Sequence, residues 1–267
     1  MTVTVGFLLG SGPSGASVLS LVAEHLRRAG AEVPTRVVGP AEVGVPEELH
    51  RADVVALRDL GPAGSSVAHR LEAAGVRCCN RAAATALTTR KEAVVTALAA
   101  AGVAVPPGVV VPTWADARLL GARGPVVAKA LDGRGGTGVV LAERGGLAER
   151  APFPGPYLVQ ERLAHDGPDR KVFVIGHRVW GVLRPWPPTG LADKRGQPFD
   201  PTPDEVAVAV ASGAALGLEV FGVDLVPTGE GPVVVDVNAF PGFKGVEGAA
   251  AALAAHLLSL ARCGAWP

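Results

Sequence analysis

Cysteine is scarce in this chain of 267 residues: adjacent Cys78 and Cys79, and distant Cys263. Three residues so placed make neither a disulfide framework nor a cysteine-rich metal site. Excess charge is absent too, with 25 basic side chains against 25 acidic. That balance argues against nucleic acid or a membrane surface as the main partner, while leaving room for a local basic pocket. No apolar run reaches the length of a membrane span without a charge or a proline. The first residues lack a basic n-region, and Val3–Leu9 is too short for a signal or a span, so a cytoplasmic protein is expected. Lysine is sparse beside Ala, Gly, Val, Arg and Pro, a bias that speaks of codon usage more than of function. Apolar side chains are plentiful: at 48% hydrophobic the chain can fill one large core or two to three smaller ones.

The first third alternates strand and helix. Val3–Leu9, Glu32–Val38, Ala52–Leu57 and Val76–Cys79 read as strands, with helices at Gly15–Ala29 and Ser65–Ala74. Such alternation indicates a parallel sheet with crossover helices. Gly10-Ser11-Gly12-Pro13-Ser14-Gly15 between the first strand and helix matches the dinucleotide pattern G-x-G-x-x-G. An NAD(P) protein binding through Gly10, Gly12 and Gly15 is therefore one reading. The acidic residue that should follow the second strand is missing, because Val38 is followed by Gly39 and Pro40. A tight strand-to-helix turn, with Pro13 near the helix start, is the simpler account.

The most specific segment lies near the other end. Val233-Val234-Val235-Asp236-Val237-Asn238 is a β-branched run that suddenly offers an acid and an amide two residues apart, before Pro241-Gly242 turns the chain. Alternation along a strand puts Asp236 and Asn238 on one face. Phe221–Val226 is apolar apart from Asp224, and the link Pro227–Pro232 has turn composition, so a hairpin is expected. A turn centred near Gly229 and Glu230 should place Asp224 opposite Asp236. Two facing carboxylates and an amide oxygen suit a hard cation such as Mg²⁺. The alternative is a structural network in which both acids pair with Arg or Lys.

Lysines recur where anions would explain them. Lys91 stands in the first turn of a helix at Thr89–Ala101, against the helix dipole, and Gly102 caps its end. Lys129 interrupts the strand Pro125–Leu131 ahead of Asp132-Gly133-Arg134-Gly135-Gly136-Thr137-Gly138 and the strand Val139–Ala142. A glycine-rich hairpin leaves backbone N–H groups free for phosphate, and a strand lysine beside it can hold the same anion. Tyr157–Leu163 reads as a strand running into a linker. Lys171–Gly176 and Val179–Trp186 form a hairpin that brings Lys171 near Arg184. Pro187–Pro203, with Lys194 and Arg195, reads as a loop or lid. Helices are expected at Pro203–Leu216 and Ala249–Arg262.

In this order the pieces resemble the ATP-grasp superfamily over about residues 85–262. The resemblance implies an α/β and α+β chain: a Rossmann-like α/β domain at 1–84, then a central subdomain at 85–160 and a C-terminal one at 161–267 that sandwich ATP. It implies that Lys91, Lys129 and the loop residues Gly133, Gly135, Gly136, Thr137 and Gly138 face phosphates. Gln160, Glu161, Arg162 and Leu163 become the hinge that holds adenine. Asp224, Asp236 and Asn238 would ligate Mg²⁺, as two ions, with Mn²⁺ as a substitute. The glycine loop looks like the RimK-type ligases, which form an acyl phosphate from a carboxylate and pass it to an amine, releasing ADP and phosphate. On that reading Arg184, Lys171 and Asn238 are catalytic, and His165, Arg184, Lys194, Gly242 and Lys244 face small-molecule or peptide substrates. Lys171 stands where such ligases commonly carry Arg. The stretch from Gln160 through His165 and Lys171 to Arg184-Pro185, and the ending Phe240-Pro241-Gly242-Phe243-Lys244-Gly245, look instead like inositol trisphosphate 5/6-kinase and its relatives. The neutral composition lacks the basic surplus a polyanionic inositol phosphate would need. Homodimers are common in such folds, though no surface stripe marks one here.

Overall fold

The computed structural model describes every residue except 1, 13–16, 43, 132–137, 165–166, 186–192, 194 and 264–267. Three sheets organise it. The first is parallel, in the order β2-β1-β3-β4, from β1 (Val5–Leu9), β2 (Thr35–Val37), β3 (Val54–Arg58) and β4 (Arg77–Cys79). Helices α1 (Val18–Arg28), α2 (Glu47–His50) and α3 (Pro62–Ala73) connect them, followed by α4 (Ala82–Leu87) and α5 (Lys91–Ala100). Strand β1 is buried on both faces, as expected of a parallel strand covered on each side: Phe7 and Leu9 enter one core and Leu8 another.

The second sheet, β5-β8-β6-β7, is antiparallel and comprises β5 (Gly108–Val111), β6 (Val126–Ala130), β7 (Val139–Ala142) and β8 (Tyr157–Glu161). Its core is covered by α6 (Trp114–Gly121), where Trp114 packs edge-on to Tyr157 at 5.2 Å. Strand β5 and helix α6 escape the sequence reading. The strand is short and largely exposed, so burial leaves no alternating pattern to detect.

The third sheet, β11-β10-β9-β12-β13, comprises β9 (Asp169–Ile175), β10 (Arg178–Arg184), β11 (Gln197–Phe199), β12 (Val220–Thr228) and β13 (Gly231–Ala239). The segment expected to be a lid thus contributes a strand: Gln197–Phe199 pairs with Gly181–Leu183. The proline at its centre is tolerated because β11 is an edge strand. Lys194 and residues 187–192 of the proposed lid lie outside the described residues. One face of this sheet packs on α5 and α7 (Pro203–Leu216); the other meets the first sheet and α8 (Ala249–Arg262). Helix α7 has the bounds its sequence signals demand. Thr202 and Glu205 form a capping box, Pro203 opens the first turn, and Gly217 ends it at φ 67°.

The hairpin β12–β13 contains the informative irregularity. Thr228 pairs with Gly231 and Leu225 with Val234, so unbroken pairing about Gly229-Glu230 would set Asp224 opposite Val235. A bulge at Val235 shifts the register, and Asp224 faces Asp236 after all. The expected pairing is present, but the turn alone does not produce it. The bulge also explains why Val234 and Val237, an odd number of residues apart, enter the same core. It turns Asp236 away from that core.

Asn80 ties the first sheet to the third. Buried, it donates Nδ2–H to the Val220 carbonyl at 2.7 Å and accepts from the Glu219 and Val220 amides at 2.8 Å each. At about 1 kcal/mol per bond, with desolvated groups left behind, Asn80→Ala should cost roughly 3 kcal/mol. Urea unfolding checks this; a loss below about 1 kcal/mol would show that the three bonds are not a joint between the sheets.

Candidate functional site

The third sheet collects polar side chains in one row. Register pairs Val182 with Lys171, Lys171 with Asp224 and Asp224 with Asp236. Directly paired residues share a face, and i, i+2 residues do too, so Arg184, Lys171, Asp224, Asp236 and Asn238 all project from the face opposite the α5–α7 core. Lys171 is buried and donates to Asp224 Oδ1 at 2.6 Å. Asn238 Nδ2 donates to Asp236 Oδ2 at 3.2 Å, confirming their common face. Arg184 donates to the Lys244 carbonyl at 2.8 Å. Its guanidinium and the Lys171 ammonium lie 5.4 and 5.8 Å from the Phe173 ring centre.

Two lysines reach the same place from outside this sheet. Lys91, the first residue of α5, comes within 3.6 Å of Asp236 Oδ1. Lys129, on β6, donates to the Val235 carbonyl at 2.8 Å, the bulged residue of the edge strand. The bulge therefore faces the carboxylate outward and offers a carbonyl to a lysine of the neighbouring sheet. Burial lowers the Lys129 pKa, partly offset by Asp236 and Asp224. For Asp236, enclosure by the chain pushes the pKa up, but Lys91, Lys129, Lys171 and the Asn238 amide outweigh it and hold the carboxyl below its ordinary value. Burial also lowers the Arg184 pKa, against the pull of Asp224.

The space between Lys91, Lys129 and Asp236 opens into a cleft walled by Leu98, Val105 and Leu158, with Gln160 at its lining. Gln160 is buried; its Nε2 donates to the Pro106 carbonyl at 3.3 Å, while Oε1 has no partner. An unpaired buried amide oxygen is costly unless a ligand donor meets it. The apolar wall escapes the sequence reading, because Leu98, Val105 and Leu158 look like ordinary core residues until two sheets meet across them.

The remaining expected residues divide. Gly138 adopts φ 72°, and its carbonyl accepts from Ala130 N at 2.7 Å, so it closes the β6–β7 hairpin. Gly133, Gly135, Gly136 and Thr137 lie outside the described residues, as do His165 and Lys194. Glu161 ends β8 with an exposed side chain, Arg162 pairs with Glu143 at 2.6 Å on the surface, and Leu163 follows beyond the strand. Lys244 is exposed and meets the row through its carbonyl; Gly242 sits against Arg58. The chain's five lysines, 91, 129, 171, 194 and 244, are all candidate site residues.

The sign of the Asp236 shift makes a prediction. A carboxyl with a lowered folded pKa stabilises the fold above its ordinary value near 4, and that contribution fades as pH falls through the folded value. The stability gap between the nucleotide-free wild type and Asp236→Asn should be full at pH 6 and narrow below about pH 4. Urea midpoints measured across that range check it, and a gap independent of pH rules out the lysine-held carboxylate.

A family model described as the RimK-like ATP-grasp domain matches residues 96–260. A probable alpha-L-glutamate ligase 2 of Shewanella amazonensis is 39% identical over 137 residues, covering 46% of this chain and 45% of that protein. The chain thus spans about half the length of the curated relatives it matches. The RimK-domain ATP-grasp protein of Sphaerobacter thermophilus superimposes with a TM-score of 0.74 at 23% identity, over 97% of this chain and 99% of that one. The ATP-grasp ligase PsnB, solved with a minimal precursor, Mg and ADP, superimposes with a TM-score of 0.72 at 22% identity, over 96% of this chain and 97% of that one. These structural likenesses establish the ATP-grasp fold, and with the family model matching more than half of its residues, the chain belongs to the RimK-like ATP-grasp family.

Proposed function

We propose that this protein is an ATP-dependent carboxylate–amine ligase that forms an amide and releases ADP and phosphate. The observation that carries the reading is the facing pair Asp224–Asp236, with Asn238 beside it, Lys171 and Lys91 paired to the two acids and Lys129 on the adjoining Val235 carbonyl. Two carboxylates and an amide oxygen are the hard donors Mg²⁺ prefers, and Lys91, Lys129 and Lys171 supply charge for phosphate oxygens. The unpaired Gln160 oxygen offers an acceptor for an amino group in the cleft. The residues present therefore fit MgATP.

In this reading Lys91 and Lys129 hold phosphates, and Gly138 closes the hairpin over them. Gln160 to Leu163 form the adenine hinge, and Asp224, Asp236 and Asn238 hold two Mg²⁺, with Mn²⁺ able to substitute. When bound, the metal neutralises charge on the transferring phosphoryl group. The chain's own contribution is positional. Asp224 fixes the Lys171 ammonium, the Phe173 ring and the Lys244 carbonyl fix the Arg184 guanidinium, and both cations stand on the metal-binding face. Preorganised cations stabilise negative charge as a substrate carboxylate takes up the terminal phosphoryl group of ATP and ADP leaves, and again as an amine attacks the acyl carbon and displaces phosphate. His165, Lys194, Gly242 and Lys244 would line the acid and amine sites. Residues 1–84, 85–160 and 161–267 would be the three units that enclose them.

Ligation is preferred to phosphorylation of an inositol phosphate because the relatives carry ligase names: glutamate ligase, PsnB and D-cycloserine synthetase. The decisive measurement is product balance over an amino-acid panel. ADP and free phosphate should appear in equal amounts, and only with both acid and amine present; ADP without free phosphate indicates a kinase and sinks the ligase reading. Asp236→Asn should lower turnover at least 100-fold, about 2.7 kcal/mol of transition-state stabilisation. Normal turnover of that variant would remove Asp236 from the metal set.

A further inference from the structure

Among the described residues, three non-glycine residues adopt positive φ: Asp59 at 55°, Phe240 at 44° and Phe243 at 46°. All three lie where the first sheet meets the loop that follows β13. Arg58, the last residue of β3, has its Nη2 3.4 Å from where a Cβ on Gly242 would stand, between the two phenylalanines in sequence. Gly10 is forced by the same corner: a Cβ there would fall 1.8 Å from the Asp59 carbonyl oxygen. Strained backbone costs of order 1–3 kcal/mol per residue and persists only when surrounding structure over-determines it. Here burial of both Phe240 and Phe243 in the core shared with the first sheet supplies that support.

Arg58 is held at this corner without a partner. Its guanidinium makes no hydrogen bond or ion pair among the described residues, and burial lowers its pKa against the pull of adjacent Asp59. Asp59 instead accepts from the Ser11 hydroxyl at 3.3 Å. The carboxyl ends of parallel strands are where ligands bind in open α/β sheets. Gly242 follows Asn238 by four residues, so it lies at most about 14 Å away, within the length of a small substrate.

We propose that Arg58 binds a non-reacting carboxylate of a substrate, so that this enzyme selects a substrate carrying a second carboxylate. The planar fork of a guanidinium matches a carboxylate bidentately. The Gly242 backbone, with no side chain, leaves that fork open. This inference rests on the ligase reading and assigns its specificity to the first sheet.

The test is direct binding to the full chain in saturating MgADP, followed by calorimetry. The probes are L-glutamate, L-aspartate and glutarate, each beside the analogue with one carboxylate as a primary amide: L-glutamine, L-asparagine and glutaramate. Wild type should bind at least one diacid 10-fold or more tightly than its monoamide. Arg58→Gln should bind the two equally, with its MgADP affinity unchanged. If Arg58→Gln does not fold, Arg58→Lys keeps the stem and charge, and should lose at least threefold of the discrimination. Wild type that binds no diacid or does not discriminate, or either variant that discriminates as wild type does, overturns the proposal. Loss of the ligase reading shows separately, as failure to bind MgADP or to release ADP with any acid and amine.

Discussion

The bulge at Val235 is the constraint on which the site depends. Without it, β13 would keep strict alternation, Asp236 would enter the same core as Val234, and Asp224 would face an apolar side chain. One extra residue reverses the face of everything beyond it and leaves Val235 with a carbonyl on an open sheet edge. Lys129 takes that carbonyl. The same irregularity thus orients the carboxylate, closes the edge strand and joins the second sheet to the third.

Lysine usage follows the same logic. Twenty arginines carry most of the positive charge, and only five lysines remain. Three of the described lysines stand around the acid pair. A lysine presents a compact point charge on a flexible stem, whereas arginine is a rigid fork that demands a matching planar partner. Crowded carboxylates and phosphate oxygens suit the former. Two described arginines, Arg184 and Arg58, each stand beside the loop from Phe240 to Lys244. Strained backbone collects there too, at Phe240 and Phe243, and burial of both rings holds it.

Much of this architecture was legible because local signals agreed. Helix α7 has the expected bounds, Pro203–Leu216, and the apolar run Phe221–Val226 with the β-branched run Val233–Val237 announced a buried hairpin. The acids, the amide and Lys129 were identifiable as chemistry out of place in apolar strands, and Lys91 as a cation set against a helix dipole. Strand β5, strand β11 and helix α6 were not legible, since edge strands are partly exposed and short helices carry weak periodicity. The register of β12 and β13 was right in outcome, although the turn does not generate it, because a bulge leaves little trace in composition.

Sequence alone therefore determined the residue types and their strand and helix positions: two acids, an amide, five lysines, and the superfamily their order resembles. Such features are local, carried by alternation, capping and the cost of burying charge. Tertiary structure decided which lysine meets which acid, that Gln160 keeps an unpaired oxygen in an apolar cleft, and that Arg58 from the first sheet meets Gly242. Those contacts join residues 53 or more positions apart, and they form only through strand pairing within the third sheet and the packing of the three sheets against one another.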